Sequence, residues 1–135
     1  MTQGSILIIK DYNLLFIYNI IKMSFASNPN PSYNTIRGLT ILISDIRNCT
    51  TKMDEVKRVE QELEKIRKKF GSSKGVSGYD KKKYIWKLLY IFILGYKIDF
   101  GHNYMADLIT SIKFSEKITG YISMSNINSD FRCFV

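Results

Sequence analysis

The segment GYDKKKYIWKLLYIFILG, residues 78–95, limits what this chain can fold into more than any other. Ile85, Leu88, Leu89 and Phe92 recur at spacings of three and four, the stripe of a helix. Trp86, Tyr90, Ile91 and Ile93 fill the remaining faces. A helix that is apolar on every side is stable only when neighbours surround it, so the rest of the chain must supply a jacket. Asp80 is placed to open this helix as its N-cap and Gly95 to stop it, which predicts a helix over 81–94. On that reading Lys81, Lys82 and Lys83 fall in the first turn. The helix dipole already puts about half a positive charge there, so further cations are mildly destabilising. The three lysines are either a solvated run or a site that awaits an anion.

The jacket is legible on both sides. Leu39, Leu42, Ile43 and Ile46 give a helix over 36–49. Met53, Val56, Val59, Leu63, Ile66 and Phe70 give a longer one over 50–70. In this second helix the acids come early and Arg67, Lys68 and Lys69 come last, as the dipole favours. Asp54 with Arg58 and Glu64 with Lys68 add i, i+4 pairs. GSSKGVSG is a loop, YKIDFGHN a connector, and 104–112 and 114–124 read as two shorter helices. No alternating strand pattern competes. The fold class is all-α, a bundle or the start of a helical solenoid. In a solenoid that ends soon after its central helix, Ile91, Leu108, Ile112 and Ile118 are expected to lack full cover.

Charge is concentrated. Residues 37–87 hold 14 Lys and Arg against 7 Asp and Glu, while the remainder holds 6 against 5. Nearly all of the net +8 therefore lies in one block, which suggests an anionic partner. Lys87 lies four residues after Lys83, on the same face, and Tyr79 and Tyr84 flank the lysines with hydroxyl donors. Antiparallel packing of the second and central helices would bring Lys69 to the same edge. Nucleic acid is one candidate partner, but it favours exposed aromatics for stacking, and Trp86, Tyr90 and Phe92 fall inside the buried helix. A phosphoinositide headgroup needs only a compact basic cluster on a surface.

Catalysis finds no support. His102 is the single histidine, too few for a histidine metal site or a Ser-His pair, and Asp99 and Asp107 lack partners for acid–base work. No cofactor is expected, and the chain reads as a non-enzyme. Cys49 and Cys133 lack metal or redox spacing, which suits a reducing, cytosolic setting. The apolar stretch in residues 5–22 is interrupted by Lys10 and Asp11, leaving about ten apolar residues where a span needs roughly 20. Met23 is expected to be the functional start.

RGLTILISDIRNC, KRVEQELEKIRKKF, GYDKKKYIWKLLYIFILGYKIDFGH and KFSEKITGY, in that order and spacing, resemble the alpha-adaptins. These are the large subunits of the plasma-membrane clathrin adaptor, and the resemblance covers about residues 36–122. It implies an armadillo/HEAT-like α-solenoid over 33–122, truncated, with residues 1–32 as an extension and 123–135 as a divergent tail. It further implies a phosphoinositide-binding site at Arg37, Gly38, Lys69, Tyr79, Lys83, Tyr84, Ile85, Trp86 and Lys87, with Lys81 and Lys82 beside them. The implied partners are phosphatidylinositol 4,5-bisphosphate, the beta, mu and sigma adaptor chains and, indirectly, clathrin. The implied location is the cytoplasmic face of the plasma membrane. A nucleic-acid-binding helical module and a purely structural solenoid piece remain the alternatives.

Overall fold

The computed structural model describes residues 37–127. They form five helices: α1 (Arg37–Arg47), α2 (Lys52–Phe70), α3 (Gly78–Ile93), α4 (His102–Ile109) and α5 (Phe114–Ile127). Among the described residues there is no strand, so the fold is all-α. The apolar stretch within 5–22, Met23 and Cys133 lie outside the described residues.

α3 packs against each of the other four helices. Ile85, Trp86, Leu88, Leu89 and Ile91 have no exposed surface, as an all-round apolar helix requires. Its start differs from the sequence expectation. Ser77, not Asp80, is the N-cap, and its hydroxyl accepts from the Asp80 N–H at 3.2 Å. The helix therefore opens three residues earlier, and Asp80 lies in its first turn, where an acid is favourable. The lysines follow in the second turn. The conflict between three cations and the dipole does not arise. At the other end Gly95 adopts φ 104°, and its N–H and that of Tyr96 bond back to the Phe92 and Ile91 carbonyls. That left-handed turn needs glycine.

α1 contributes Leu39, Leu42 and Ile46 to the core, and α2 contributes Val59 and Ile66. Two positions on α2 depart from its expected stripe. Met53 is 83% exposed, because it precedes the part of α2 that other helices cover. Glu62 is buried, although it is a carboxylate. Phe70 ends α2 by stacking on Tyr104 of α4 at 4.0 Å and meeting the Tyr84 ring edge-on at 5.9 Å. The Tyr104 hydroxyl also donates to the Phe70 carbonyl at 2.6 Å. These contacts pin the end of α2 beside the start of α3.

α4 and α5 approach closely at Gly120, where a Cβ would fall 2.7 Å from the Ile109 backbone nitrogen. α5 continues past residue 124 to Ile127 despite its polar composition. Its hydroxyls bond inward, Ser123 donating to the Thr119 carbonyl at 2.7 Å, so serine is accommodated in a buried position. Ile91 and Leu108 are buried, contrary to the expectation that they lack cover, because α3, α4 and α5 pack on one another. Ile118 is half-buried. Ile112, Phe114 and Tyr121 are the exposed apolar residues at this end.

Candidate functional site

Successive residues of an α-helix point about 100° apart, so three adjacent lysines cannot share one face. The structure shows them diverging. Lys81 reaches α4, with its ammonium 3.2 Å from Asp107 and 5.8 Å from the centre of the Tyr104 ring. Lys82 is buried, and its electrostatic neighbours are Glu116 in the first turn of α5 and Lys113 just before it. Burial lowers its pKa to about 8, Glu116 opposing the fall and Lys113 adding to it. Only Lys83 turns toward α1 and α2.

Around Lys83 a basic edge is assembled from three helices. Its ammonium lies 2.8 Å from Asp80, 4.7 Å from the centre of the Tyr84 ring and 5.8 Å from that of Tyr79. Tyr84 is buried, whereas Tyr79 is exposed. Lys87, one turn on, also lies over the Tyr84 ring, at 5.6 Å. Gly38, at the start of α1, rests on both lysine stems. A Cβ there would fall 3.2 Å from Lys87 Cε and 3.4 Å from Lys83 Cδ, so glycine makes room for two long side chains. Lys69, at the end of α2, is near enough to act electrostatically on Asp80. Arg37 is exposed beside Gly38.

Thus Gly38, Lys69, Tyr79, Lys83, Tyr84 and Lys87 come together. Lys81 and Lys82 are directed elsewhere. Ile85 and Trp86 are core residues with no exposed surface, because their helical positions face the neighbouring helices and not the edge. The Trp86 indole N–H has no hydrogen-bond partner among the described residues.

Two carboxylates shape this edge that the sequence did not single out for it. Glu62 takes the Lys87 ammonium at 2.5 Å and Arg58 at 2.8 Å, and Arg58 in turn reaches Asp45 of α1 at 3.0 Å. The expected Asp54–Arg58 pair is replaced by this chain, which ties α1, α2 and α3 through charges. Burial alone would raise the pKa of Glu62, but the bonds from Lys87 and Arg58 hold it below the ordinary value. The signal was present: Glu62 lies three residues after Val59 and four before Ile66, on the apolar stripe of α2. Asp80 is the second carboxylate. The bond from Lys83 lowers its pKa most, and the Ser77 hydroxyl and the charges of Lys83 and Lys69 add to the effect. Lys83 is raised in turn: burial opposes, and the Asp80 bond prevails.

Among the described residues there is no cluster of His, Cys, Asp and Glu suited to a metal, and no helix is long and apolar enough to cross a membrane. The arrangement leaves Lys83, backed by the Tyr84 ring, as a partly exposed cation of the kind that can meet an anion, while Lys87 stays buried on Glu62.

The chain is similar to several known proteins. It is 48% identical over 99 residues to the AP-2 complex subunit alpha-2 of Dictyostelium discoideum, covering 73% of this chain and 10% of that protein. It is 50% identical over 99 residues to the AP-2 complex subunit alpha-1 of Arabidopsis thaliana, covering 71% and 10%. It is 51% identical over 92 residues to the AP-2 complex subunit alpha of Schizosaccharomyces pombe, covering 68% and 10%. The chain spans about a tenth of the length of these relatives. No protein-family model matches it.

Proposed function

The chain belongs with the alpha-adaptins over the stretch that aligns, and from that premise we propose that its basic edge binds phosphoinositide headgroups at a membrane surface. The observation that carries the reading is the convergence of Gly38, Lys69, Tyr79, Lys83 and Tyr84, drawn from α1, α2 and α3, on one edge. A compact basic cluster of this kind suits a phosphorylated headgroup on a surface better than a nucleic-acid groove. The rings near its cations lie behind or beside the ammonium groups, and Tyr79 alone of them is well exposed for base stacking.

In this reading the chain is a non-enzymatic part of a clathrin adaptor. It works on the cytoplasmic face of the plasma membrane, in endocytosis and vesicle-mediated protein transport. Phosphatidylinositol 4,5-bisphosphate is its lipid, the beta, mu and sigma chains are its assembly partners, and clathrin is reached indirectly. The five-helix fold fits the N-terminal α-solenoid of an adaptin trunk. Titration of the chain against phosphatidylcholine vesicles with and without this lipid, in the presence of duplex DNA or RNA competitor, tests the reading. Lipid-dependent binding that survives the competitor is expected. Binding abolished by nucleic acid, or absent from both vesicles, would reject it.

A further inference from the structure

Lys83 and Lys87 are each held by a carboxylate, and the two carboxylates differ in one respect that matters for an incoming anion. Glu62 is sealed: the side chains of the Lys87–Glu62 pair are 6% and 2% exposed. Asp80 is not, for the side chains of the Lys83–Asp80 pair are 22% and 42% exposed. An anion from solvent cannot replace Glu62 without opening the core, but it can replace Asp80. Asp80 also occupies the right place. Its carboxylate takes Lys83 at 2.8 Å and lies in the field of Lys69, so it sits among the cations that a phosphate would use.

We propose that Asp80 is the specificity-determining residue of this edge, an internal anion that holds Lys83 until a more highly charged one displaces it. The inference rests on the headgroup reading above. A lipid carrying one negative charge gains little at Lys83, since it exchanges one singly charged partner for another. A headgroup with two phosphomonoesters, each carrying roughly −1.5 to −2 charges, brings enough charge and acceptor oxygens for Lys83 and Lys69 together. Asp80 therefore acts as a threshold that discriminates against monovalent lipid. Its own departure is local: the Ser77 hydroxyl donates to its second oxygen at 3.1 Å, and the backbone N–H cap to Ser77 does not depend on the carboxylate.

The test uses the whole chain and two sets of phosphatidylcholine vesicles. One set carries phosphatidylinositol 4,5-bisphosphate and the other carries phosphatidylserine at matched surface charge. Asp80→Asn removes the charge and keeps the shape. An exposed ion pair is worth little, so the expected gain on phosphatidylserine vesicles is about two- to fivefold. The gain on phosphoinositide vesicles is expected to be smaller, so the preference between the two narrows. Asp80→Ser, which retains a first-turn acceptor without charge, should narrow it equally, and circular dichroism verifies helix content for both. Glu60→Gln on the exposed surface of α2 controls for net charge. An equal gain on both vesicle types, no gain, or the same narrowing from Glu60→Gln overturns the proposal while leaving the headgroup reading standing. A parent chain that binds neither vesicle above plain phosphatidylcholine overturns both.

Discussion

Two lysines one helical turn apart on α3, Lys83 and Lys87, have the same chemistry and opposite situations. Lys87 points inward to Glu62, and the pair is covered by three helices. Lys83 points to Asp80 at a surface that solvent reaches. The inner pair is architecture, since neither ion can find water as a substitute partner. The outer pair is open to solvent, which is what the proposed exchange with an incoming anion requires. Residue type and spacing alone do not decide between the two. The depth at which α1 and α2 cross α3 does.

The largest effect that would break this contrast lies in the inner pair. Glu62→Ala leaves Lys87 buried without its carboxylate and deprives Arg58 of one of its two, a change expected to cost about 3–5 kcal/mol. Chemical denaturation followed by circular dichroism measures it. Replacing both partners, Glu62→Leu with Lys87→Met, is expected to recover most of the loss, since a packed apolar pair needs no counter-charge. A cost of only a few tenths for Glu62→Ala would mean that the inner pair is as exposed as the outer one.

Next in size is Lys82, whose burial against α5 sets a pH dependence. Its folded pKa, about 8, lies below its ordinary 10.5, so between those values the unfolded chain holds a proton that the folded chain has released. Stability therefore rises with pH across that interval. Tyr90 opposes this at the upper end. Burial raises it to about 12, so above pH 10 the unfolded chain loses a proton that the folded chain keeps. The rise is expected between pH 8 and 10, on the order of 2 kcal/mol, and Lys82→Met should flatten it. Thermal unfolding at a series of pH values would show this. An unchanged slope in the variant would place Lys82 in solvent, alongside Lys83.

How much of this was open to sequence reading follows from the same geometry. The five helices were, because apolar spacing reports which face is buried without reference to the partner. The basic edge was legible as a set of residue types, through the charge block and the alpha-adaptin resemblance. That Lys81, Lys82 and Lys83 splay follows from helix geometry alone, but which of them turns to α1 and α2 was not legible, because it depends on how the neighbouring helices pack around α3. Taking Asp80 as the cap in place of Ser77 also moved the lysines into the wrong turn. Glu62 was missed for a related reason: a single acid on an apolar stripe reads as an exception until its cationic partner, 25 residues away, is seen beside it. Ile85 and Trp86 came in with the motif, and packing places their side chains in the core.

The smallest effect is the most direct test of the central claim, that one lysine of the three faces the anion site. Lys81→Gln, Lys83→Gln and the parent chain are to be compared by titration against vesicles carrying phosphatidylinositol 4,5-bisphosphate. A basic residue near an anionic surface is worth about 1 kcal/mol, close to fivefold in affinity. The expected result is a loss of about that size for Lys83→Gln and a clearly smaller one for Lys81→Gln, whose ammonium is turned to Asp107 on α4. Equal losses would mean that the cluster acts as a diffuse patch, and a larger loss at Lys81 would put the site on the other side of α3.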